Sequence, residues 1–100
     1  MNIELIDKVE ILESGELAII LESGGRPDYQ LIYREAAEVS WDNDLKAFKS
    51  PIPRKWSHSD WYFHIVKIAG NCDIILKRTD ITEWVNVPPQ VREEICAKST

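Results

Sequence analysis

Residues 56–70, WSHSDWYFHIVKIAG, decide how this chain folds. Ser57 followed three positions later by Asp60 is an S-x-x-D start signal. A serine oxygen accepts from an open amide of the first helical turn, and an early carboxylate suits the positive end of the helix. Gly70-Asn71 supplies the stop, since both residue types tolerate the left-handed conformation found at helix ends. At about 100° per residue, Ile68, Trp61, Ile65, Ala69, Tyr62 and Val66 share one broad face, with Phe63 at its edge. Asp60, His64 and Lys67 form the narrow stripe opposite. A face this wide needs a sheet to cover it. Each large side chain so buried contributes about 1.5–3 kcal/mol.

Outward from this helix, 57–70, the chain reads as strand. Residues 3–12, IELIDKVEIL, form a first strand with a bulge near Asp7, and Glu13 to Glu16 turn it into Leu17 to Leu21, LAIIL. The second run is apolar on both faces and so belongs in the middle of a sheet. Ser23 to Asp28 is a glycine-containing hairpin connection without the GK ending of a phosphate loop. Tyr29 to Arg34 is a third strand, kinked after Glu35. Asp42-Asn43-Asp44 is a tight turn that brings Trp41 near Phe48 in the return strand 46–49. The two prolines of 50–55, SPIPRK, exclude helix and sheet interior alike. Beyond the helix, Cys72 to Lys77 reads as a strand, 78–80 as a turn, and 81–87 as a last strand or a loop packed by Trp84. Pro88-Pro89 opens a short helix, 90–97, with Val91 and Ile95 on one side.

The fold expected is therefore α+β: an antiparallel meander of about five strands, packed by one central helix with a short C-terminal helix. Its 100 residues make a single domain, 1–100, and a hydrophobic fraction of 44% is enough for a core. The net charge of −5 disfavours nucleic acid and anionic membranes as partners. It is unevenly spread: residues 1–44 hold eleven acids and three bases, residues 45–100 six acids and nine bases. Besides solubility, this suits a surface that pairs with a copy of itself. Cys72 and Cys96 lack zinc-site spacing, so no metal is expected and both read as thiols of a reducing compartment. The start lacks a signal peptide and no stretch is long and apolar enough to span a membrane, which makes the cytoplasm the default location. No motif calls for a cofactor.

Four tryptophans are many for this length. Trp41, Trp56 and Trp61 lie in or beside segments expected to meet, and rings with a polar handle line pockets and interfaces as well as cores. Core filling suits Trp61 best; Trp41 and Trp56 sit beside polar turns. Arg34, at a strand end after Tyr33, has the fork that clamps a carboxylate or phosphate, or it pairs with Glu35 or Glu38. Asp60 and His64 are one turn apart, so that the acid can orient the ring and raise its proton affinity, as in a general base. No nucleophile is attached to them by spacing, and such pairs are common on solvated faces. His58, in the first turn, is expected in solvent. Lys46, Lys49, Arg54 and Lys55 form a basic run ending at Trp56.

YQLIYREAAEVSW, FKSPIPRKWSHSDWYFHI and EWVNVPPQ together resemble a group of small uncharacterised bacterial proteins, some carried on mobile integron gene cassettes. The resemblance runs from about Val9 to Val91. It implies an accessory protein that assembles into oligomers, and it assigns no residue a role. The leading expectation is a non-enzymatic protein that self-associates and takes a protein partner or a small anionic or aromatic ligand through Tyr33, Arg34, Trp41, Trp56 and Trp61. Two alternatives stand beside it: a small enzyme with an Asp60/His64 acid–base pair in an aromatic cleft, and an immunity or antitoxin-like protein whose acidic half neutralises a basic partner.

Overall fold

The computed structural model describes residues 2–22 and 38–98. The elements run β1 (Asn2–Ile11), β2 (Leu17–Leu21), β3 (Ser40–Asp42), β4 (Ala47–Lys49), α1 (His58–Asn71), β5 (Ile74–Val85) and α2 (Pro89–Lys98). The expected strand Tyr29 to Arg34, with Tyr33 and Arg34, and the loop 23–28 lie outside the described residues.

The α+β arrangement is as the sequence implies. Five strands form one sheet in the order β3-β4-β2-β1-β5, with β2 central as its apolar run requires. Three pairings are antiparallel; β1 and β5 are parallel. The parallel pair follows from connectivity. β4 runs antiparallel to β2 and therefore in the direction of β1. The helix carries the chain back, so β5 must enter alongside β1 in the same direction. The expected antiparallel meander is therefore not continued into β5, because a whole helix separates β5 from β4.

The bulge expected near Asp7 is present: the register of β1 shifts between Ile6 and Lys8 against both neighbours. Opposite it, β5 throws out residues 79–82 as an excursion within one strand, where the sequence suggests a turn between two. Thr82 closes the excursion. Its hydroxyl donates to the Ile6 carbonyl at 2.7 Å and accepts from the Thr79 amide at 2.8 Å.

The core lies between the sheet and α1. Ile6, Val9, Leu17, Ile19 and Phe48 come from the strands, Tyr62, Ile65 and Ala69 from α1, and Ile95 from α2, all buried. The start of α1 is a full capping box. Ser57 Oγ accepts from the Asp60 amide at 3.2 Å, and the Asp60 carboxylate accepts from the Ser57 amide at 3.0 Å. The helix runs one residue past Gly70-Asn71's expected stop. Cys72 is its C-cap, and the left-handed residue is Asp73, φ 64°. Pro89 opens α2 as expected, where a missing amide costs nothing.

Ser50, 1% exposed, fixes the linker to the sheet: its hydroxyl accepts from the Leu17 amide at 3.0 Å and donates to the Pro51 carbonyl at 2.8 Å. From there residues 51–56 travel over the β1–β2 turn. A methyl group added at Gly15 would meet Ile52 at 3.6 Å, and the φ of 97° at that position favours glycine. His58 is half-buried rather than solvent-exposed, because its Nε2 bonds to the Gly15 carbonyl at 2.9 Å. Linker, turn and helix start are thus held together.

Candidate functional site

The linker and the first two turns of α1 enclose a cleft of about 610 Å³. Its lining among the described residues is Glu38, Pro51, Ile52, Arg54, Lys55, Trp56, Trp61 and His64. A second, more open depression of about 350 Å³ lies against Trp56, Asp60, Phe63, His64 and Lys67.

Trp56 is central to both. It precedes the N-cap, and Trp61 is the fourth helical residue, so the two form the hydrophobic staple that often accompanies a capping box. Their ring centroids are 4.7 Å apart. His64, one turn beyond Trp61, meets Trp56 edge-on at 5.0 Å and Trp61 at 5.7 Å. Trp61 is buried at 8% exposure, yet Trp56 keeps 44% of its surface open. The backbone of Glu38, on the rim, is left-handed at φ 71°, a conformation that costs a non-glycine residue energy.

The basic run 46–55 splits. Lys49 pairs with Asp42 at 3.3 Å, and Asp42 also closes its turn by accepting from the amides of Asp44 and Leu45. The Leu45 amide first, and then Lys49 and the Asp44 amide, hold the Asp42 carboxyl below the usual carboxylate range. Lys46 sits in that turn with φ 58°. Arg54 and Lys55 remain exposed at the cleft and have no ion-pair partner among the described residues.

Asp60 and His64 do not form the pair that their spacing suggests. The Asp60 carboxylate is committed to the Ser57 amide. The proton affinity of His64 is lowered, not raised, by burial against the indoles and then by Lys67. Both residues still border the smaller depression. Trp41 is brought elsewhere. Pairing of β3 with β4 sets its ring edge-on to Phe48 at 4.8 Å, and it does not line the cleft. Of the sequence candidates, then, Trp56, Trp61, Asp60 and His64 come together; Trp41 does not join them.

The part of the linker before Trp56 was not legible as a wall. The signals that bear on it are the staple spacing, Trp56 to Trp61, and an isoleucine between two prolines. Nothing in the sequence marks Glu38 as a rim residue. Among the described residues, no group of three or more metal-ligating side chains comes together, and no helix is long and apolar enough to cross a membrane.

Fold and cleft define a small α+β protein with an open aromatic pocket under a cationic rim. Residues 5–77 match the family described as Integron Cassette Protein Hfx_Cass5. A solved structure described as coming from the mobile metagenome of North West Arm Sewage Outfall, Integron Cassette Protein Hfx_Cass5, is 35% identical over 97% of this chain and 95% of that chain, with a TM-score of 0.44. No curated protein matches. The chain belongs to the Hfx_Cass5 integron cassette protein family, in keeping with the resemblance of its sequence.

Proposed function

We propose that the protein is a small-molecule-binding accessory protein of mobile DNA, with its ligand in the cleft at Trp56. One observation carries the reading: a tryptophan held in place by two other rings leaves 44% of its surface open to a cavity of about 610 Å³. Ligand pockets of about 300–1,000 Å³ are built in this way, from apolar and aromatic walls with a few polar groups. Binding is favoured over acid–base turnover because Asp60 is occupied at the helix start. The test is titration with indole, read from the indole N–H signals of the four tryptophans in a proton–nitrogen spectrum. Movement of the Trp56 and Trp61 signals while those of Trp41 and Trp84 stay still supports the reading. Four stationary signals at saturating indole refute it.

Self-association is a second reading, supported by the outer face of the sheet. Ile3 and Ile75 are paired across β1 and β5, and with Leu5 they stand 58%, 38% and 39% exposed respectively. Contiguous apolar surface of this kind marks interfaces. Light scattering at low and high salt tests it: a dimer stable at both and lost in Ile3→Glu is expected, and a monomer at both overturns it.

A further inference from the structure

We infer that the cleft selects a planar aromatic molecule carrying a single carboxylate or comparable monoanionic group. This rests on the binding site proposed above and specifies its ligand class. The planar part follows from the walls. The open surface of Trp56 stands with Pro51 and Ile52 along one cavity, and Ile52 is 57% exposed. A flat ring gains offset or edge-on contact with an indole, which an aliphatic chain of equal area does not.

The anionic part follows from the rim. Arg54 and Lys55 adjoin Trp56 in sequence and border the cleft, and neither is neutralised by an acid among the described residues. Arginine offers carboxylates a two-pronged fork, and lysine adds a point charge. Glu38 is the acid on the described rim, so two cations face one acid there. That balance favours one negative charge. A polyanion such as a nucleoside triphosphate would meet Glu38 and a chain of net charge −5. His64 adds a ring nitrogen that its burial and Lys67 keep from being charged at neutral pH, so it donates or accepts a single hydrogen bond without a third cation.

The experiment is calorimetric titration of the intact protein with indole, indole-3-acetate and acetate at low and high salt. Indole-3-acetate is expected to bind about tenfold more tightly than indole, the order of one charge-assisted contact at a partly exposed site. That advantage should shrink as salt screens the rim, and acetate alone should not register. Arg54→Gln combined with Lys55→Gln should bring indole-3-acetate down to the level of indole. If indole and its acid bind equally, the cleft is a ligand site but its anion preference is overturned. If acetate binds as well as the acid, the aromatic requirement is overturned. If none of the three binds, the cleft itself fails. The salt series on the unaltered protein decides the charge question even where the double variant folds poorly.

Discussion

Trp84, half-buried against the core, and Trp56, exposed, both stand next to cations, but one is finished and the other is open. At Trp84 the guanidinium groups of Arg78 and Arg92 lie over the ring, 5.7 and 5.3 Å from its centroid. Arg78 also donates to Cys96 Sγ at 3.2 Å and faces the buried Tyr62 phenol, whose pKa is pushed up by burial against the opposing pull of that arginine. Ser59 ties α1 to α2 through its 2.8 Å bond to Glu94. Strand, helix and helix are joined there, and the cations serve packing. At Trp56 the cations sit beside the ring without covering it, and the space they flank is a cavity. The same residue types thus make a structural clasp beside Ser59 and Tyr62 of α1 and a receptive surface beside Trp61 and His64 of the same helical turns.

Removing what both regions stand on gives the largest effect. Ile65, fully buried in the middle of α1, should cost about 2–5 kcal/mol as Ile65→Ala in urea denaturation, and indole binding should weaken with it. Trp84→Ala comes next at about 2–3 kcal/mol, since a clasp loses packing and cation–π contact together. Trp56→Leu keeps the staple but removes the flat wall. It should change stability by less than about 1 kcal/mol and abolish the indole response. If Trp56→Leu destabilised as much as Trp84→Ala, the contrast between clasp and receptive surface would collapse.

Most of this architecture could be read beforehand, and the exceptions have physical causes. The capping box, the bulge at Asp7, the central place of LAIIL and the Trp41–Phe48 contact all depend on neighbours a few residues apart or on one tight turn, where pattern is decisive. The parallel β1–β5 pair depends on the direction in which a helix returns the chain, which periodicity does not encode. The half-burial of His64 has a related cause. Its helical position is on the polar stripe, but Trp56 folds back over that stripe from outside the helix. Trp41 and Trp56 both lie beside polar turns in segments that the sequence expects to meet, but the pairing of β3 with β4 sets Trp41 against Phe48 instead.

Two smaller effects sharpen the comparison. Gly70 lies within α1 and a methyl group added there meets no atom within 4 Å, so Gly70→Ala should stabilise by about 0.4–1 kcal/mol in thermal melting and leave the cleft unchanged. His64 has a proton affinity below its ordinary pKa of 6.5, so the unfolded chain binds the proton more readily. Stability is therefore complete above 6.5 and falls as pH drops below it, by an amount that solvent screening keeps small. His64→Gln should flatten that acid limb in melts taken across the pH range. Lys67 contributes to it from the same helix, while Arg54, Lys55 and Glu38 face the ring across the cleft.

The most direct test is a crystal structure of the protein soaked with indole-3-acetate. The ring is expected against Trp56, with its carboxylate at Arg54 or Lys55 and Trp84 still covered by its two arginines. A cleft filled by the protein's own side chains, or a ligand seated at Trp84 instead, would contradict it.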